Sequence, residues 1–179
     1  MKALLMTVIT ALAITATGFA GTAKDVVAPP TPTLSQWFVG GSIEYIDKAD
    51  TELYTLKVGK RFFQTEKFSW ALFGEVGLAT EVYGSTDVDM IPITFNADAR
   101  YNLTEALSVY AGAGIGTSYL DVKSDTDWYV TYQLFTGLAY RFDRNVEVTV
   151  GARYTWLLDT DQLGNVDSVS YGAGLTWYF

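Results

Sequence analysis

From Gln36 to the last residue the side chains alternate at period two, and that pattern leaves β-strands as the only regular structure for the chain. It is cleanest at the end. There Tyr171, Ala173, Leu175, Trp177 and Phe179 fall on one side, and Ser170, Gly172, Gly174, Thr176 and Tyr178 on the other. Clusters of Gly, Asn, Asp and other polar residues interrupt the alternation at intervals suited to turns. Eight strands result, at about Gln36–Ile46, Glu52–Phe63, Phe68–Thr80, Ile91–Tyr101, Ala106–Tyr119, Trp128–Phe142, Val146–Leu158 and Val169–Phe179. No segment has a helical period strong enough to compete.

The residues before this pattern belong to something else. Met1-Lys2 precedes an apolar run from Ala3 to about Thr15 and then small residues through Ala23. The run is too short to span a bilayer as a helix, and cleavage after Ala20 or Ala23 fits a secretory signal peptide over residues 1–23. Residues 24–35 carry three of the four prolines, which cannot donate to a sheet ladder, and read as an extended periplasmic leader. The rest, 36–179, is one domain by length. Cysteine is absent, so there is neither a disulfide framework nor an acylated cysteine after the signal.

Two barrels satisfy eight alternating strands, and the two faces discriminate between them. One face holds Trp37, Val39, Ile43, Tyr54, Leu56, Val58, Leu72, Val76, Ile93, Phe95, Ile115, Leu134, Val150 and Leu175, with aromatics crowded at the strand ends. The other is small and polar, with Gly40, Ser42, Thr55, Gly59, Thr94, Asn96, Gly112, Gly114, Gly116, Gln133, Thr149 and Gly151. A soluble periplasmic lipid-binding barrel turns its apolar face inward and shows water an exterior rich in Lys and Glu. The small face here suits a narrow lumen instead. Apolar bands with aromatic ends suit two lipid interfaces, so the fold expected is all-β, an eight-stranded antiparallel up-and-down transmembrane β-barrel. Lys60 is the cation on the apolar face, near a strand end from which its ammonium can snorkel.

With this pattern the chain resembles the small eight-stranded outer-membrane β-barrels of the OmpA/OmpX type over about residues 36–179. The resemblance implies the outer membrane as location, lipid and lipopolysaccharide as surroundings, and short turns in the periplasm with long loops outside. The turns at 64–67, 102–105 and 143–145 are short, and the connections at 81–90, 120–127 and 159–168 are long. A final strand closing on Phe implies a signal to the barrel-insertion machinery, here Tyr171, Leu175, Trp177 and Phe179. The known enzymes among outer-membrane barrels are implied to use histidine as general base, and this chain has no histidine. Nor does a peptidoglycan-binding domain follow the barrel, so no cell-wall tether is expected.

Charges on the small face are few and mixed: Glu44, Glu75, Asp98 and Glu147 against Lys57, Arg61, Arg100, Arg141 and Arg153. The lumen of an eight-stranded barrel is filled by side chains, so these groups must pair or be hydrated. Counting across the turns sets Lys57 opposite Glu75 and Arg141 opposite Glu147, with Glu44 close to Lys57 and Asp98 beside Glu75. Such a network is chiefly structural. Exchange of partners within it would open a thin ion path, as the resemblance implies for some relatives. Glu75 and Asp98 side by side would form a carboxylate pair for acid/base work, but Lys57 and Arg100 nearby make it a salt-bridge cluster.

Each long connection carries an Asp-x-Asp: Asp87 and Asp89, Asp125 and Asp127, Asp159 and Asp161. With Asp47, Asp50, Glu81, Asp121 and Asp167 the loops hold eleven acids against Lys48 and Lys123, so they carry −9 while the whole chain carries −8. Calcium or magnesium there would bridge the rim to lipopolysaccharide phosphates, although no loop has EF-hand spacing. Gly112-Ala-Gly-Ile-Gly116 lacks dinucleotide-motif spacing, and Asn102-Leu-Thr104 matches a glycosylation triplet but falls in an expected periplasmic turn, where no modification is expected. The function expected is that of a non-enzymatic, monomeric barrel with a structural or surface-interaction role, without catalytic residues, resident cofactor or nucleic-acid partner. The alternatives are a narrow gated ion or small-solute channel and a soluble lipid binder.

Overall fold

A computed structural model describes residues 35–63, 65–80, 88–122, 125–158 and 166–179. The expected signal segment, and the leader up to its last residue, lie outside the described residues. Eight antiparallel strands follow in order: β1 Ser35–Ile46, β2 Thr51–Phe63, β3 Phe68–Ala79, β4 Val88–Asn102, β5 Leu107–Val122, β6 Asp125–Arg141, β7 Val146–Leu158 and β8 Val166–Tyr178. Each pairs with its sequence neighbours, and β8 returns to β1 with Tyr178 opposite Phe38, which closes the barrel. A closed barrel has no free edge.

The alternation decides which way the barrel faces. Leu56, Phe95 and Leu175 are among the most exposed large side chains, at 67%, 58% and 57%, while Arg61 and Glu147 are buried at 1% and 2%. Charges inside and aliphatics outside require an apolar surround, so the soluble barrel with an inward apolar face is discarded. Lys60 Nζ stands 5.5 Å from the Trp37 ring and 5.6 Å from the Phe62 ring, a cation held among aromatics at the turn end.

The three short turns share one device. Thr65 Oγ1 accepts from the amides of Lys67 and Phe68 at 3.3 and 3.0 Å, and Thr104 Oγ1 from those of Ala106 and Leu107 at 3.3 and 2.9 Å. Asp143 Oδ1 accepts from the amides of Asn145 and Val146 at 2.6 and 2.8 Å. A side-chain oxygen thereby stands in for a turn carbonyl. Both backbone bonds hold the exposed Asp143 carboxyl below its ordinary range. Asn102, in the triplet read from sequence, donates to the Glu66 carbonyl at 2.8 Å and ties adjacent turns together.

At the opposite, loop end the sequence expectation needs correction. β5 and β6 continue past the apolar band and leave only residues 123–124 between them, where a loop over 120–127 was expected. Asp89 therefore lies on β4, paired with Asp121, and Asp125 and Asp127 lie on β6. A ladder does not stop where the apolar face stops, because its bonds are between backbones and water tolerates polar side chains on both faces. Asp87, Asp159 and Asp161 lie outside the described residues. Asp167 is the second residue of β8 and pairs with Lys48 at 2.7 Å.

Candidate functional site

The closed ring of strands surrounds a lumen, and its contents are layered. Nearest the turn end, β2, β4, β6, β7 and β8 converge on one charge cluster. Arg61 Nη2 donates to Asp98 Oδ2 at 2.8 Å, its Nη1 to Ser69 Oγ at 3.2 Å and its Nε to the Tyr178 hydroxyl at 3.3 Å. That hydroxyl donates onward to Glu147 Oε1 at 3.1 Å. Arg100 is bonded to the other Glu147 oxygen and lies 3.9 Å from Asp98. Arg141 Nη2 is 3.5 Å from Glu147, with its guanidinium 4.5 Å from the Tyr178 ring centre.

A second cluster is centred on Arg153 of β7. Its guanidinium reaches Glu75 at 2.5 and 3.2 Å and Glu44 at 2.9 Å. Gln133 Oε1 accepts from Arg153 at 3.1 Å, while its amide donates to Asn96 Oδ1 at 2.5 Å and to Thr94 Oγ1 at 3.2 Å. Ser170 and Ser42 donate to Glu44 at 2.7 and 3.0 Å. These bonds cross the lumen, and together they satisfy carboxylates that would otherwise be costly to bury. Room for them comes from glycine: a Cβ on Gly114 would lie 1.8 Å from Asn96 Oδ1. That accounts for the glycine run of β5, which lets the longer polar side chains of β4 and β6 lie across it.

Aromatic rings complete the filling: Phe38 packs on Phe73 and Tyr178 with centroids at 6.0 and 5.6 Å, and Phe73 on Phe135 at 5.9 Å. At the loop end the inward positions turn apolar, and Ile46, Leu53, Ala79, Met90, Leu120 and Leu157 form a buried cluster with Ala49 and Tyr129 against it. This cap and the rings Phe38, Phe73, Tyr110 and Phe135 were not singled out from sequence. Strand parity was the available signal, since each falls on the small, polar side of its strand.

All nine charges expected in the lumen point inward, but their partners differ from expectation. Lys57 does stand opposite Glu75 and Arg141 opposite Glu147. Glu44, expected close to Lys57, borders the same cavity as Lys57 but faces Leu53 in the β1–β2 register, and its ion-pair partner is Arg153. Asp98 does not sit beside Glu75: it faces Ala71 while Glu75 faces Thr94, and Asp98 pairs with Arg61. The registers set Cα neighbours, whereas an arginine reaches across a lumen this narrow, so the partners were decided in three dimensions.

A cavity of about 60 Å3 is left between the two clusters, bounded by Lys57, Glu75, Asp98, Arg100, Arg153 and Tyr110 among others. That is room for a few waters. Among the described residues no three His, Cys, Asp or Glu side chains group as metal ligands. The terminal Tyr171, Leu175 and Trp177 form an exposed stripe on β8, with Phe179 just beyond it donating its amide to the Trp37 carbonyl at 3.0 Å.

Residues 11–179 match the family model for the outer membrane protein beta-barrel domain. Among solved structures the chain is similar to Neisserial surface protein A, with 16% identity, TM-score 0.59, and coverage of 81% of this chain and 96% of that one. It is also similar to the N-terminal β-barrel domain of Pseudomonas aeruginosa OprF, with 16% identity, TM-score 0.58, and coverage of 82% and 98%. A third is the outer membrane enzyme PagL, with 14% identity, TM-score 0.52, and coverage of 78% and 97%. At these identities the likeness is one of fold. Comparison with curated protein sequences finds no match.

Proposed function

The chain belongs to the outer membrane protein beta-barrel domain family, and from that premise we propose that it is a non-enzymatic outer-membrane scaffold with a structural or surface-interaction role. The observation that carries this reading is the filled lumen: two bonded charge clusters, an aromatic layer, and an apolar cap at the loop end. Among the described residues such an interior leaves no open cleft for a substrate, which supports a scaffold over an enzyme. Fold alone would not exclude catalysis, since PagL is an outer membrane enzyme. This chain has no histidine or cysteine, and each lumen carboxylate is engaged by an arginine, so among the described residues no lumen carboxylate stands free to act as a base.

What remains for interaction is the loop end. The acids of the three Asp-x-Asp motifs in the sequence, Asp87, Asp89, Asp125, Asp127, Asp159 and Asp161, would contact lipopolysaccharide phosphates through calcium or magnesium. The terminal Tyr171, Leu175, Trp177 and Phe179 would serve the insertion machinery, and the monomer is the default for a closed barrel. A second reading, a narrow gated channel, is favoured by the cavity beside Lys57. Planar-bilayer recording decides between them. The scaffold reading expects no unitary conductance and loop-dependent adhesion to lipopolysaccharide or cells. Stepwise conductance that changes on Lys57→Met or Glu75→Gln would establish the channel instead.

A further inference from the structure

Of the five lumen cations, four arginines each stand within 4.0 Å of a carboxylate, and all four lumen carboxylates are taken by those arginines. Lys57 is left over. Among the described residues it has no carboxylate within 4.0 Å and no hydrogen bond; Nζ lies 5.8 Å from the centre of the Phe73 ring, and Glu75, Asp98 and Glu147 act on it only from farther away. Its side chain borders the cavity of about 60 Å3 between the two clusters. An ammonium inside a barrel has to be hydrated, matched by a counter-charge or neutralised by loss of its proton, because burying it bare costs several kcal/mol. With five cations against four anions, the lumen's own groups do not supply that match.

We propose that this cavity binds one small monovalent anion of chloride size at the ammonium of Lys57. Arg100 and Arg153 also border the space and add positive potential, while their strong bonds remain committed to Glu147, Glu75 and Glu44. The carboxylates of Glu44, Glu75 and Asp98 border it too. Their presence limits the occupant to a single charge, and the volume excludes phosphate-sized or organic anions once a water shares the space. The site does not depend on the scaffold reading, since an anion held in a sealed lumen and one paused in a channel would make the same contacts.

The test uses the full barrel in detergent micelles, with chloride replaced stepwise by gluconate at constant ionic strength. The wild type is expected to show a saturable rise in melting temperature with chloride, by mass action on the folded state. Lys57→Met, of similar length and uncharged, is expected to show none. Crystals soaked in bromide give a readout independent of any variant, with an anomalous peak expected beside Lys57 Nζ. A cavity holding water only, a melting temperature that follows ionic strength alone, or a halide response retained by Lys57→Met would each overturn the proposal. Should Lys57→Met fail to fold, the bromide peak in the wild type decides alone.

Discussion

Replacing Arg153 by Met removes the one cation shared by Glu44 and Glu75 and leaves two carboxylates facing the lumen. The Arg153 and Glu75 side chains are 10% and 5% exposed, so screening by bulk water is slight. Three contacts at 2.5, 3.2 and 2.9 Å are lost, together with the bond to Gln133 at 3.1 Å. A unit-charge pair at 4 Å is worth about 4 kcal/mol at an effective dielectric constant of 20, and the desolvation already spent on the carboxylates is not recovered. Stranding buried charges in this way costs about 3–5 kcal/mol. Reversible urea unfolding from phospholipid vesicles measures it. The triple variant Arg153→Met, Glu44→Gln, Glu75→Gln is expected to regain most of the loss, because neutralised partners no longer need a counter-charge. A loss under about 1 kcal/mol in the single variant would refute the reasoning, since it would mean a hydrated lumen in which the pairs behave like surface ones.

Gly116→Val is expected to block folding, read as loss of the heat-dependent gel shift, because its Cβ would lie 2.0 Å from the Ile93 carbonyl oxygen and 2.6 Å from Thr94 Cα. Gly74→Ala, whose Cβ meets nothing within 4 Å, should leave the shift intact. Leu53→Ser with Leu157→Ser wets the apolar cap and should raise ion leak through liposomes, whereas an unchanged leak would locate the seal in the charge clusters. Asp143 has a folded pKa depressed by two backbone bonds, below the ordinary 3.8. Its unfolded state therefore binds more protons in between, so its contribution is complete above about pH 4 and is lost as pH falls through the folded value. Carboxyl NMR titration of the wild type, with stability compared to Asp143→Asn at pH 3 and 7, checks the sign. Calcium is expected to raise the melting temperature of the intact protein but not of a variant with Asp87, Asp89, Asp125, Asp127, Asp159 and Asp161 changed to Asn. No rise in either would remove the cation from the lipopolysaccharide contact.

The strand count, the closed antiparallel order and the outward apolar face were legible in sequence because a strand's side-chain period is two and takes no help from distant residues. Phe95 and Ile115 read as lipid-facing from their parity, and so they are. The short turns were legible too, and the oxygens of Thr65, Thr104 and Asp143 show the local chemistry behind them. The loop-end limits of β5 and β6 were not, because backbone pairing continues where the hydropathy signal ends.

Parity also placed Glu44, Glu75, Asp98 and Arg153 inside the barrel, since a face is a property of one strand. Which of them meet is a property of four strands at once. Glu44 and Arg153 are 109 residues apart in sequence and meet at 2.9 Å because β8 lies between their strands and the barrel closes. The sequence alone determined an outer-membrane barrel with a charged interior. Closure and register decided which charges cancel, where the rings and the apolar cap sit, and that Lys57 is the cation left beside the cavity, because those are distances across a lumen and no period along the chain encodes them.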